Sequence, residues 1–125
     1  MDERGRSLLA WQWSNYPANH RDRRNLLVHA LTVPVFQVGT VAVLLSPFVN
    51  GWLAPAGVAA MVLAVALQGR THRLERTAPI PFRGAGDVIA RFLAEEWLTF
   101  PRYVASGAFA RAWRESAPRS GTSAA

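Results

Sequence analysis

The chain has no cysteine and no lysine among its 125 residues. Without cysteine there is no disulfide, no thiol nucleophile and no thiolate ligand, which leaves imidazole and carboxylate as the strong metal-binding side chains. Without lysine, the whole basic complement is arginine, and the net charge is +6. The arginines form no long run and half of the residues are hydrophobic. That pattern argues against a nucleic-acid partner, because a basic face for a phosphate backbone is a clustered patch. There is no phosphate-cradling glycine loop, no nucleophile elbow and no internal repeat. The N-terminus does not read as a secretory signal, since the apolar run begins only after about two dozen mixed residues.

The longest absence is of charge. Residues 25–69 contain no Asp, Glu, Lys or Arg. Turn-forming residues at 46–51 divide this stretch, so it reads as two apolar helices folded back on each other. The first is expected over residues 25–45, with a kink or change of segment where Pro34 removes a backbone donor. The second is expected over residues 55–74, with Pro55 in its first turn. Arg21, Arg23 and Arg24 flank one end of the stretch, and Arg70, Arg73 and Arg76 flank the other. Positive charge on both flanks fits a hairpin whose two ends face the cytoplasm. Each uninterrupted segment is slightly short of the roughly 20 residues that span a bilayer, so the pattern predicts a short or tilted membrane hairpin. The competing expectation is a deeply buried soluble one.

The three histidines are His20, His29 and His72. At about 1.5 Å per residue, a turn near Val49–Asn50 puts His29 roughly 30 Å down one helix and His72 roughly 33 Å down the other. The hairpin thus brings two imidazoles to nearly the same depth. His20 lies nine residues before His29 and cannot share its helix face, so it has to arrive from the loop that Pro17 favours. Taken singly, each histidine reads as a hydrogen-bonded or interfacial residue. Together they are the inventory of a metal site, and neutral imidazoles with open positions suit Fe(II) or Zn(II). Asn25 and His29 are four apart, and His72 and Glu75 three apart, so each pair occupies one helix face.

Around the hairpin the reading is all-α in a single domain of residues 1–125. Residues 1–6 and 115–125 are expected to be disordered. Ser7 caps a short helix to Tyr16, with Leu9, Trp13 and Tyr16 on one side. Trp11, Trp13 and Tyr16 are amphipathic aromatics of the kind expected at a membrane–water interface, with core packing in a soluble bundle as the alternative. Residues 77–86 form a Pro/Gly loop. Asp87 opens an amphipathic helix to about Thr99, with Val88, Ile89, Phe92, Leu93 and Trp97 on one broad face. Glu96 projects within that face and Glu95 lies at its edge. A carboxylate on an apolar face needs a partner, either an arginine or a metal centre. Thr99 then caps a last helix to about Arg114, with Pro101 in its first turn.

These residues also resemble a known family. His20-x4-Asn25-x3-His29-x4-Pro34, followed by Gly69-x2-His72-x2-Glu75-x3-Pro79, looks like the Mpo1-like family, formerly catalogued as a domain of unknown function. Phe82-x-Gly84…Asp87 and Glu95-Glu96-x3-Phe100-Pro101-Arg102 are similar to its bacterial members, and the resemblance covers roughly residues 11–113. It implies a membrane-embedded Fe(II)-dependent dioxygenase that shortens long-chain 2-hydroxy fatty acids by one carbon with O2 and without 2-oxoglutarate. Carried onto this chain, it makes His20, His29 and His72 the iron ligands, and Asn25, Glu75 and Glu96 the groups that orient the imidazoles. Arg24, Arg73 or Arg76 would hold the substrate carboxylate, or else anchor the hairpin at the interface. Two other readings stay open: a non-enzymatic hairpin module that binds lipid or a protein partner, and a zinc hydrolase using the same ligands.

Overall fold

The computed structural model describes residues 7–116, and among these every regular element is helical. Helix α1 (Leu8–Asn15) begins at Ser7, whose hydroxyl accepts a 3.3 Å hydrogen bond from the Ala10 amide. A 3₁₀ turn at Tyr16–Asn19 holds Pro17 in its opening positions and ends at His20. Helix α2 (Arg23–Leu45) starts at Asp22, whose carboxylate accepts from the Arg24 amide at 2.8 Å. The turn Ser46–Trp52 follows, then α3 (Leu53–Thr71) and a 3₁₀ turn at His72–Leu74. Helix α4 (Ala85–Ala94) runs without a break into a π-helical segment, Glu95–Thr99, and on into α5 (Phe100–Ala105). Gly107, at φ 82°, turns the chain into α6 (Ala108–Glu115).

The α2–α3 hairpin is the largest packing surface in the fold. Its closest approach is backbone to backbone. A Cβ added to Gly39 would stand 2.7 Å from the Gly57 carbonyl oxygen, and one added to Gly57 would strike the Gly39 carbonyl. Small residues at such a crossing let helices without polar seams pack tightly. A buried hydrogen bond from Gln68 Nε2 to Thr32 Oγ1, 2.9 Å, ties the same pair nearer its open end.

The remaining helices close over that open end. Tyr16, Leu26, Val33, Phe100 and Tyr103 form the core, with Phe109 and Trp113 of α6 packed against it. Gln12 links α1 to the far segment by donating to the Arg91 carbonyl at 3.0 Å and accepting from the Thr99 hydroxyl. Gln37 of α2 donates to the Glu96 carbonyl at 2.8 Å.

Several expectations need correction. Helix α2 continues through Pro34 instead of changing segment there. Thr99 is helical and makes no capping bond, so the expected helix start at that residue is absent and the real break is at Gly107. Pro101 lacks the amide that would reach back four residues, and the wider π turn before it accommodates that loss. Trp11 and Tyr16 are buried in the protein instead of lying free at an interface. Trp13 packs edge-on to Tyr103 and under the Arg102 guanidinium. Of the tails expected to be disordered, Glu115 ends α6, and Ser116 donates to the Trp113 carbonyl at 2.7 Å. Residues 1–6 and 117–125 lie outside the described residues.

Helices α2 and α3 are long and apolar enough to cross a membrane.

Candidate metal centre

His20 is delivered by the 3₁₀ turn, His29 by the second turn of α2 and His72 by the end of α3. Their rings converge with centroids 4.7 to 5.1 Å apart. A fourth ligand arrives from the π segment. Glu95 Oε1 lies 3.4 Å from His29 Nε2 and 3.7 Å from His20 Nε2. One donor atom from each of the four residues falls within 4.8 Å of all the others.

The imidazoles are held in defined orientations. His20 Nδ1 is 2.8 Å from the Tyr16 carbonyl, and the Tyr16 ring stacks on it at 3.7 Å. His29 Nδ1 is 2.9 Å from the Asn25 carbonyl. A carbonyl can only accept, so each Nδ1 carries the proton and each Nε2 presents a lone pair. Those two lone pairs face each other at 3.3 Å. Two acceptors at that distance repel unless a proton or a cation lies between them. Nitrogens about 2.0–2.1 Å from one ion stand roughly 2.9 Å apart at a right angle and 3.4 Å apart at a tetrahedral one, so a shared ion fits the observed spacing, as a shared proton does. His72 Nδ1 supplies a further sign. It is buried beside the Asn19 backbone without a well-formed hydrogen bond.

The electrostatics agree. Burial pushes His20 well below its ordinary pKa, and the neighbouring His29 adds to this, so the ring is a neutral donor. Burial works to raise the pKa of Glu95, but the adjacent imidazoles, His29 first and then His20 and His72, outweigh it and hold it at about 2. The Tyr16 hydroxyl donates to Glu95 Oε1 at 3.1 Å. Burial, and then the Glu95 carboxylate, push that phenol far above its usual range, so it remains a donor. Imidazole nitrogens, an ionised carboxylate and outer hydrogen bonds that fix them are the donor set a divalent metal requires.

Asn25 and Glu75 bind the three histidine-bearing segments together. Glu75 Oε1 accepts from the backbone amides of Arg21 and Asp22, both at 2.8 Å, and from Asn25 Nδ2 at 2.9 Å. Asn25 also donates to the Asn19 carbonyl at 3.2 Å and accepts from the Thr71 hydroxyl at 2.7 Å. Glu75 therefore pins the residues immediately after His20, and Asn25 joins α2 to the end of α3.

Glu96 was expected near the metal; it is Glu95 that enters the cluster. Glu96 is fully buried, and both its oxygens lack a hydrogen bond of good geometry, as does Oε1 of nearby Gln68. Burial, then the charge of Glu95, lift its pKa to about 8, so Glu96 is a neutral acid. The π turn shifts the register by one residue and carries both carboxyls inside, which an ideal helical face does not foresee. Pro101 was the available cue.

A cavity of about 140 Å³ opens onto His20, His72 and Glu95. Gly69, Phe92 and Arg91 also line it, and Arg91 donates to the Ile80 carbonyl at 2.8 Å while lying over the Phe82 ring. Arg24, Arg73 and Arg76 are not among its lining residues. Arg24 is exposed and paired with its own neighbour Asp22 at 3.3 Å. No protein-family model, curated protein or solved structure matches this chain.

Proposed function

We propose that the chain is a membrane-embedded, Fe(II)-dependent dioxygenase that shortens long-chain 2-hydroxy fatty acids by one carbon. The observation that carries this reading is the cluster of His20, His29, His72 and Glu95, with imidazole lone pairs 3.3 Å apart. Histidine–carboxylate sets with open positions belong to non-haem Fe(II) oxygenases. Iron(II) held there would supply O2 activation and a Lewis acid for the hydroxyl and carboxylate of the substrate.

The protein's part is positioning. Tyr16 and Asn25 fix the rings, Glu75 fixes the loop, and Glu95 brings the negative charge that offsets the metal's. A 2-hydroxy acid plus O2 balances to the acid one carbon shorter, carbon dioxide and water, so all the electrons come from the substrate and no co-substrate is needed.

Membrane embedding is supported by the exposed apolar faces of the hairpin. Only 33% and 17% of the hydrophobic windows of α2 and α3 are buried. A core helix of a soluble bundle is mostly buried, whereas Leu31, Val38, Leu44 and Val62 here are each more than half exposed. The hydrophobic effect assigns such faces to lipid. The arginines at the open end support a cytoplasmic location for that end, in a bacterial-type inner membrane. In the test, purified protein loaded anaerobically with Fe(II) receives a long-chain 2-hydroxy acid and O2. Release of the acid one carbon shorter is expected; no turnover at any chain length, with iron bound, overturns the assignment. A four-ligand His/Glu set also suits Zn(II), and O2-independent hydrolysis with zinc alone would install that second reading.

A further inference from the structure

Helix α3 carries one continuous stripe at spacings of three and four: Val58, Met61, Val62, Val65, then Gln68, Gly69 and finally His72. Such residues lie on a single helix face. Its first half lines an apolar groove of about 310 Å³, closed on the other side by Ile89 and Phe92 of α4. Its second half lines the cavity that reaches His20, His72 and Glu95. Phe92 lines both spaces, so they meet at that ring. Gly69 lines the cavity together with Phe92, and an added Cβ there would meet no atom within 4 Å.

We propose that this groove between α3 and α4 is the tail site of a single-chain amphiphile whose polar head sits at the metal centre, and that Gly69 keeps the passage between the two open. The proposal rests on the hydroxy-acid reading above for the head group. The geometry selects the occupant. The groove is lined entirely by apolar side chains, so it suits an alkyl chain and no polar ligand. It borders the polar cavity at the Phe92 ring, so that chain is joined to a head group able to reach His72 and Glu95. Four residues on the stripe, from Val58 to Val65, span about 10 Å of helix, and His72 lies about 10 Å further on.

The test uses the metal-loaded full chain in lipid nanodiscs with a long-chain 2-hydroxy acid bearing a mid-chain diazirine, and reads the labelled residues by mass spectrometry. Label is expected at 58–65 and 88–93. Gly69→Leu, which fills the junction, should cut this label about tenfold with metal content unchanged, whereas Gly69→Ala should retain it. Label spread over Leu31, Val38 and Leu44 on α2, or unaffected by Gly69→Leu, overturns the proposal. So does a groove protected from label by a second copy or a protein partner. Groove labelling without turnover keeps the tail site and rejects the dioxygenase; turnover with label elsewhere does the reverse.

Discussion

Glu75 is hydrogen-bonded to none of the three imidazoles, yet its removal should be felt at the metal centre. One oxygen accepts three N–H groups, from Arg21, Asp22 and Asn25, at 2.8 to 2.9 Å. Two of these belong to the backbone just after His20, and the third to the residue whose carbonyl orients His29. A hydrogen bond contributes roughly 1 kcal/mol net, more to a charged acceptor and less where water can replace it. The Arg21 bond is exposed and is discounted; the other two are half-buried. Glu75→Ala should therefore release about 2 kcal/mol of alignment. Spent on the His20 loop, that corresponds to a roughly 10- to 100-fold loss of metal affinity. Glu75→Gln keeps one acceptor oxygen and should lose less. The assay is chelator competition on folded protein, with thermal unfolding of the metal-free forms as control. Wild-type affinity in Glu75→Ala, or an equal loss in Glu75→Gln, would refute the reasoning.

Other consequences can be measured alongside. Gly57→Ala drives a methyl into the Gly39 carbonyl and should destabilise the hairpin by about 1–3 kcal/mol; Gly51→Ala, with nothing within 4 Å, should be nearly neutral in the same melting experiment. Glu96 has a folded pKa of about 8 against its ordinary 4.5. Its contribution is then full below the unfolded value and is lost as pH rises from 4.5 towards 8. Metal-free wild type should therefore lose melting temperature over that window more steeply than Glu96→Gln, and identical slopes would contradict a neutral buried acid.

Much of the site was legible because helical rise is fixed. Counting residues from the turn placed His29 and His72 at one depth, and their rings are 5.1 Å apart. Pro17 signalled the loop that brings in His20, and Ser7 marked the start of α1. Glu95 was legible only as a residue at the edge of a face, because the π turn at Glu95–Thr99 breaks the 3.6-residue period on which face assignments rest. Nor was the fate of Trp11 and Tyr16, since an amphipathic aromatic fits a lipid interface and a protein core equally well until its neighbours are known. Arg91 escaped notice because nothing local links it to the cavity; it reaches there only through packing of α4 against α1.

The most direct check on the whole account is metal content. Protein purified after iron supplementation is analysed by elemental mass spectrometry, together with His20→Ala, His29→Ala, His72→Ala, Glu95→Ala and Glu96→Gln. A single iron equivalent is expected in the wild type and in Glu96→Gln, and its loss in each of the other four. Folded wild-type protein that takes up no metal, or full occupancy in both His72→Ala and Glu95→Ala, would contradict it.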